Sequence, residues 1–161
     1  MSVTLRDLQD GDVPELHRLT NDMEIIRYML WVPHSEDDTR AFVRDYRSQA
    51  WAIETDGALI GVCGLAPAPD KLTAEAWYLL DKPHWGKGHG TAALRRMFEI
   101  GFGELGYHRI WATCLPENPA SLRVLEKAQM RREGYQRKNL LIHGEWKDSW
   151  LFAILREDWG L

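Results

Sequence analysis

The chain has 161 residues, 45% of them apolar, and a formal net charge of −4. This length and apolar content suit one well-filled domain and are too small for two ordinary ones. No segment approaches 18 consecutive apolar residues and residues 1–7 contain no apolar stretch, so neither a membrane span nor a secretory signal is expected.

The charge is unevenly distributed along the chain. Residues 1–60 hold 6 Lys and Arg against 12 Asp and Glu, a net −6, and residues 61–161 hold 14 against 12, a net +2. This division argues against a nucleic-acid binder and would suit a cationic substrate that meets an anionic cofactor, although an uneven surface without function gives the same counts. Cys63 and Cys114 have neither metal-ligand nor CxxC spacing, so we expect two buried reduced thiols in a cytoplasmic protein and no metal site.

The first half of the chain predicts an edge strand, two helices, a hairpin and a further strand. Pro14 lies just inside the start of the first helix, and a capping box over residues 35–38 starts the second. The dipeptide Asp56-Gly57 is typical of a type I′ turn and marks the hairpin tip. The predicted ranges, in chain order, are Val3–Arg6, Asp12–Ile26, Ser35–Ser48, Trp51–Glu54, Ala58–Leu65 and Leu72–Leu80.

The second half predicts a strand–helix–strand crossover followed by a helix and a closing hairpin. Apolar residues at helical spacing run from Leu94 to Gly106, and a β-rich segment follows. Asn118 and Pro119 open the last helix, and two strands flank a turn at residues 143–144. The fold class is therefore α/β, a mixed and mostly antiparallel twisted sheet flanked by helices. The later ranges are His108–Cys114, a helix from Asn118, and strands over 131–142 and 146–155.

The segment Trp85–Thr91, of sequence WGKGHGT, lies between an apolar strand and an amphipathic helix. Its three alternating glycines, Gly88 and Gly90 among them, allow positive φ angles and a close approach of the backbone to a ligand. The helix that follows points its free N–H groups and positive dipole end at this loop, which favours an anion, and Lys87 adds a positive charge. The loop is interpreted as a binding site for a diphosphate.

Three diphosphate ligands are weighed. A dinucleotide is disfavoured because its G-x-G-x-x-G motif normally follows the first strand of a domain and opens a helix. Residues 101–106 match the motif but end a helix, and residues 88–93 match G-x-G-x-x-A but follow several strands. A nucleoside triphosphate is disfavoured because the sequence has no G-x-x-x-x-G-K-[ST] motif. The third ligand is coenzyme A, for which the sequence offers a family resemblance.

Three motifs in order carry this resemblance. They are residues 84–94 (HWGKGHGTAAL), residues 117–127 (ENPASLRVLEK) and residues 143–148 (HGEWKD). Over nearly its whole length the sequence resembles the GNAT N-acetyltransferases and, within them, the RimJ/RimL-like branch that acetylates protein N-termini. The resemblance implies a single GNAT-like domain over residues 1–161 that uses acetyl-CoA.

The resemblance also implies which residues contact the cofactor. The backbone N–H groups of residues 86–91 would hold the pyrophosphate, and the main chain of Leu80 would pair with pantetheine and polarise the acetyl carbonyl. Asn118 would contact the cofactor besides capping its helix, and Ser121 would face the thiol. The expected cofactor-binding residues are Leu80, Trp85, Gly86, Lys87, Gly88, His89, Gly90, Thr91, Asn118 and Ser121.

Two residues are candidate catalytic groups. Glu75 is a carboxylate in an apolar strand, which is costly unless the group is exposed or paired, and it is the candidate base. An ordinary solvent-side or salt-bridged strand Glu is the alternative. Many relatives place a proton-donating Tyr seven residues after the Asn, where this chain has Leu125. Ser121 is therefore the second candidate, with an ordinary first-turn serine as the alternative. His89 and Tyr135 could line the site, although surface or core positions are expected for both.

Two further departures from the family pattern change local structure. Trp77 stands where relatives often have Gly, which would reshape the acceptor cleft. Gln129 and Met130 replace a Gly-Phe pair, so Gln129 must form the cap of its helix.

The expected reaction is direct acetyl transfer to a primary amine, first of all the α-amine of a protein or peptide N-terminus. A small amine (an aminoglycoside or a polyamine) is the second acceptor, and a non-catalytic acyl-CoA-binding regulatory module is an alternative that Leu125 leaves open. We expect the acidic cluster Glu36–Asp38 to attract the acceptor, and at least two of Trp31, Trp51 and Trp77 to fill the core. No nucleic-acid or membrane partner is expected, and a homodimer is compatible with the sequence.

Overall fold

A mixed β-sheet divides the protein into two packed layers. The computed structural model describes residues 2–161, and within them the chain forms seven strands and four α-helices. The elements in chain order are β1 Thr4–Asp7, α1 Val13–Thr20, α2 Glu36–Asp45, β2 Ala50–Thr55, β3 Ala58–Pro67, β4 Thr73–Leu80, α3 His89–Phe98, β5 Arg109–Cys114, α4 Pro119–Lys127, β6 Arg131–Ile142 and β7 Glu145–Leu155.

The strand order is β1-β2-β3-β4-β5-β7-β6, and every neighbouring pair is antiparallel except β4 and β5. The parallel pair is joined by α3, which is the predicted crossover. Both predicted hairpin tips have two successive positive φ angles, 51° and 77° at Asp56 and Gly57, and 49° and 81° at His143 and Gly144. These are the angles of type I′ turns, so the predicted fold class and both hairpins are confirmed.

The first helix is shorter than its apolar spacing predicts. The capping box of α2 is present, with Ser35 and Asp38 exchanging hydrogen bonds, but α1 ends at Thr20. Asn21 donates its side-chain amide to the His17 carbonyl (2.8 Å), and such local bonds compete with helix continuation. Met23, within the predicted helix Asp12–Ile26, lies beyond the observed helix end and is 68% exposed.

Each face of the sheet covers its own apolar core. The larger core includes Leu94 and Met97 of α3, Leu125 of α4 and the β4 residues Ala76 and Leu80. The smaller core packs α1 and α2 against the other face and includes Leu79, with Trp77 against it. Alternate β4 residues therefore face opposite layers, as the two-residue repeat of a strand requires.

The strands β4 and β5 pair over only the first part of their length. Their register joins Thr73, Ala74 and Glu75 to residues 109–111, and the remaining residues of the two strands separate. The result is a wedge-shaped gap in the middle of the sheet, between α3 and α4 on one face and α1 and α2 on the other.

The helix α3 continues beyond Phe98 as wider turns over Glu99–Glu104, in which the Leu105 N–H donates to the Ile100 carbonyl (2.9 Å). Across residues 2–161, none of the helices is both long and apolar enough to cross a membrane.

Candidate active site

One cavity of about 830 Å³ occupies the gap between β4 and β5. It is open to both faces of the sheet, because residues of α3 and α4 and residues of the α1–α2 layer line it together. Of the ten predicted cofactor-binding residues, nine lie on its wall. The exception is Lys87, whose exposed side chain lies outside the cavity.

The backbone at Gly86 and Gly88 forms an open cradle beside this cavity. Their φ angles are 72° and 86°, in the left-handed region that favours glycine, and Gly88 is the N-cap of α3. A Cβ atom on either residue would meet nothing within 4 Å. The Gly88 carbonyl accepts the first helical bond from Ala92 (3.0 Å), so the N–H groups of the first turn are left for another acceptor. This cradle suits a phosphate group.

Gly90 serves the loop in a different way from the one predicted, whereas His89 has the core position that was expected. Gly90 has no positive φ angle; a Cβ there would lie 3.3 Å from Val124 and 3.5 Å from the Tyr78 ring, so this glycine allows close packing. His89 is buried, and its ring lies 5.4 Å from that of His84. Burial, helped by the charges of His84 and Lys87, lowers the pKa of His89, so it adds no positive charge to the cradle at neutral pH.

The backbone of β4 presents unpaired polar groups to the gap. The Ala68 N–H donates to the Thr73 carbonyl and the Asp81 N–H to the Ile60 carbonyl, each at 2.9 Å, so the odd-numbered residues of β4 bond to β3. The N–H groups of Tyr78 and Leu80 therefore point into the gap. The Leu80 carbonyl accepts a 2.8 Å bond from the Trp85 indole N–H, which fixes the loop to the strand end.

Ser121 and Tyr78 meet on the α4 side of the cavity. Asn118 caps α4 through its side-chain oxygen, which accepts the Ser121 N–H at 3.2 Å, as predicted. The Ser121 hydroxyl lies 2.9 Å from the Tyr78 hydroxyl. Burial raises the pKa of Tyr78 to about 12, although the hydrogen bond with Ser121 opposes this rise. Leu125 is buried in the core next to them, without a group that could donate a proton.

Glu75 lies at the point where β4 and β5 separate, on the wall of the cavity. It shares its face of the strand with Trp77 and Leu79, so it faces the α1–α2 layer while Tyr78 faces α4. Burial raises its pKa, and within residues 2–161 no ion pair or hydrogen bond offsets that rise. A carboxylate in this state is a stronger base than an ordinary one.

The acidic cluster Glu36–Asp38 does not line the cavity, so it would attract the acceptor only from outside, and this role stays a prediction. Glu36 pairs with Arg40 at 3.0 Å, and Asp38 belongs to the capping box, so these charges serve α2 itself. Of the three tryptophans, Trp51 is buried in the core, and Trp77 packs against the smaller core while it also lines the cavity. Trp31 is exposed and lines the cavity.

The structure adds functional candidates that the sequence did not indicate. The buried Nδ1 atom of His84, on the cavity wall, has no hydrogen-bond partner among residues 2–161. Arg123 and Lys127 line the cavity from α4 and place positive charge on the side of the glycine cradle. In the sequence, Tyr78 is indistinguishable from an ordinary strand residue. Only its hydroxyl contact with Ser121 in the structure indicates a functional role. The cradle, the unpaired strand edge and the orphaned His84 nitrogen together fit a long ligand with phosphate and amide groups.

Comparisons with known proteins agree with this geometry. The sequence model described as the acetyltransferase (GNAT) domain matches residues 2–131. An uncharacterized N-acetyltransferase of Bacillus subtilis, YnaD, is 31% identical over 97% of this chain and 95% of its own.

Two solved structures share the fold. A GNAT-family acetyltransferase from Bacillus anthracis has a TM-score of 0.89 at 31% identity and covers 98% of this chain and 96% of its own. A spermidine N-acetyltransferase from Vibrio cholerae, solved in complex with CoA and spermine, has a TM-score of 0.88 at 24% identity and covers 99% of both chains. The chain therefore belongs to the GNAT family, and it is an acetyl-CoA-dependent N-acetyltransferase.

Proposed function

We propose that Glu75 is the base of this acetyl transfer and that Ser121, supported by Tyr78, stabilises the departing thiolate. The observation that carries the proposal is the position of Glu75, an unpaired and partly buried carboxylate where β4 and β5 separate. Acetyl-CoA, when bound, supplies the thioester acetyl group and leaves as a thiol. The residues that would hold it are those of the glycine cradle, the β4 edge and the start of α4.

Glu75 has the properties of a base for an ammonium ion. An amine attacks through its lone pair, so its proton must be removed before or during the formation of the new C–N bond. Glu75 and Ser121 lie on opposite faces of the sheet, so the proton would be accepted on the α1–α2 side while the C–S bond breaks on the α4 side. This separation keeps the two charge changes apart.

The pKa of Tyr78 decides how the thiolate would be stabilised. A thiol with a pKa of about 8.5 holds its proton less tightly than a phenol with a pKa of about 12, so full proton transfer from Tyr78 to the thiolate is unfavourable. Tyr78 would instead donate its hydrogen bond to Ser121, which leaves the Ser121 proton to point at the sulfur. We propose hydrogen-bond stabilisation here. The nitrogen loses one proton to Glu75 and its second, as the C–S bond breaks, to the thiolate directly or through water.

The proposed acceptor is a primary amine, with the α-amine of a peptide or protein N-terminus as the first candidate. The likeness of residues 84–94 and 117–127 to the RimJ/RimL-like branch supports this choice. A single α-amine also suits the charges of this cavity. Two carboxylates line it, Glu24 and Glu75, and of the two only Glu75 has no cationic partner among residues 2–161.

A polyamine is the second candidate, because a relative of the same fold is a spermidine N-acetyltransferase. The wall of this cavity offers Glu75 and Glu24, and Glu24 is already paired with Lys82 at 3.1 Å. The additional ammonium groups of a polyamine would therefore lack carboxylates.

Amine-dependent release of free thiol from acetyl-CoA tests the proposal. Peptides with a free α-amine, their N-terminally blocked forms and spermidine serve as acceptors, and mass spectrometry identifies the acetylated nitrogen. Acetylation of the α-amine supports the first candidate, and a preference for spermidine favours the second. If acetyl-CoA binds but none of the amines causes release of free thiol, the result would instead indicate a non-catalytic module.

A further inference from the structure

The α1–α2 side of the cavity has an aromatic wall, formed by Trp31, Phe42, Tyr46 and Trp77. Phe42 is its centre, with ring centroids 6.1 Å from Trp31, 5.1 Å from Tyr46 and 6.0 Å from Trp77. The rings come from the loop before α2, from α2 and its end, and from β4, and all four line the cavity.

This wall adjoins the base proposed above. Trp77 follows Glu75 by two residues on the same strand face, which places the two side chains about 7 Å apart along the strand. The Trp77 ring is held in place, because it covers Gly64 so closely that a Cβ there would lie 2.5 Å from a ring atom. A group attached next to an amine at Glu75 would therefore lie against Trp77 and Phe42.

The wall remains partly open to solvent. Trp31 is 55% exposed and Tyr46 is 44% exposed at the mouth of the cavity. Exposed aromatic rings that converge on a cavity are typical of a ligand site, because a flat apolar group can cover them and exclude water.

The charges of this side limit how many ammonium groups it accepts. Glu24 is paired with Lys82, and Arg27 adds a positive charge to the same wall. A second or third ammonium group would lose its hydration without gaining a free carboxylate.

From these contacts we infer that the acceptor is a monoamine that carries an aromatic group close to the amine, and not a polyamine. This inference rests on the proposed function, because it places the amine at Glu75. The same chemistry exists in a free arylalkylamine and in a peptide that begins with an aromatic residue.

A set of matched amines tests the inference through kcat/KM for thiol release from acetyl-CoA. Tryptamine and phenethylamine represent free arylalkylamines, Trp-Gly-Gly amide and Ala-Gly-Gly amide represent peptides, and butylamine and spermidine are the comparisons. We expect each aromatic amine to exceed its non-aromatic counterpart by roughly tenfold or more, and spermidine to gain nothing over butylamine. A higher kcat/KM for the free arylalkylamines or for Trp-Gly-Gly amide then shows whether the acceptor is a small amine or a peptide.

A variant pair connects this preference to the wall. Trp31→Ala should lower kcat/KM for the aromatic amines much more than for butylamine, so that most of the aromatic preference is lost. Trp146→Ala is the matched control, since Trp146 is 60% exposed and lies outside the cavity.

The possible results separate this inference from the proposed function. Turnover of butylamine without an aromatic preference, or a preference for spermidine, would overturn the aromatic acceptor and leave Glu75 as the base. An aromatic preference that survives in Trp31→Ala and is lost in Trp146→Ala would also overturn it. Thiol release with none of the amines would overturn both proposals.

Discussion

The hydroxyl oxygens of Tyr78 and Ser121 lie 2.9 Å apart, although one residue belongs to the central strand β4 and the other to the first turn of α4. The contact connects the two walls of the gap on the face that carries the glycine cradle. It also places a partly buried hydroxyl pair on the cavity wall one helical turn before Leu125, whose side chain has no proton to donate.

The first prediction concerns this pair. Ser121→Ala should lower kcat by less than the about 10²–10⁴-fold typical of an acid–base group, because water can replace the hydroxyl. Tyr78→Phe should have a smaller effect, since Ser121 keeps its own proton, and the effects in the double variant should be less than additive. Steady-state kinetics of the three variants measure this, and equal, additive losses would show that the two hydroxyls act independently.

The second prediction concerns the glycine cradle. Gly88→Val places a Cβ in the open space that the cradle reserves for phosphate and strains a φ of 86°, so the affinity for acetyl-CoA should fall strongly while the fold is retained. Calorimetric titration with acetyl-CoA measures the change. Gly57→Val is the matched control, because Gly57 has a φ of 77° and an equally open surrounding at a hairpin tip. Unchanged affinity in folded Gly88→Val would show that the phosphate binds elsewhere.

A third prediction separates Gly90 from Gly88. A Cβ at Gly90 would approach Val124 and the Tyr78 ring, so Gly90→Val should lower thermal stability as well as turnover. Gly88→Val should lower Tm through backbone strain alone, by about as much as Gly57→Val, because both residues have a positive φ and neither Cβ meets a protein atom within 4 Å. Thermal unfolding of the variants measures these effects, and an unchanged Tm in Gly90→Val would contradict the packing role of Gly90.

The sequence predicted the parts of this protein that depend on local chemistry. The type I′ hairpins, the Asn118 cap and the positive φ of Gln129 (69°) all follow from residue types and their neighbours. The glycine cradle was predictable for the same reason, because the positive φ angles of Gly86 and Gly88 are ones that glycine favours.

Contacts between distant elements were not predictable in this way. Nothing in the neighbourhood of Tyr78 indicates that its hydroxyl meets Ser121, and the separation of β4 from β5 begins at Glu75 without a sequence signal. The Glu36–Asp38 cluster was expected to attract the acceptor because of its charge density, although Ser35 and Arg40 already engage two of its carboxylates. Charge counts do not reveal such pairing.

The fourth prediction is a stability effect of Glu75. Because burial raises the pKa of Glu75, the folded protein keeps this proton at pH values where the unfolded chain, with an ordinary Glu pKa of about 4.3, has released it. The free energy of unfolding therefore decreases as pH rises from about 4.3 through the raised pKa, because the buried group has to ionise in the folded protein. Glu75→Gln should have a higher Tm than the wild type at pH 8, and the difference should shrink toward pH 4.

Glu104→Gln is the control for that measurement, since it removes an exposed carboxylate that does not line the cavity. A Tm difference for Glu75→Gln that does not depend on pH would contradict a buried, unpaired carboxylate at this position.

The direct test of Glu75 as the base is the pH dependence of kcat/KM for amine acetylation in the wild type and in Glu75→Gln. In the wild type, kcat/KM should rise with pH through the raised pKa of Glu75, because only the carboxylate accepts a proton. Glu75→Gln should lose that rise and about 10²–10⁴-fold in kcat, while the Kd of acetyl-CoA stays unchanged. Wild-type kcat in Glu75→Gln at every pH would contradict the assignment.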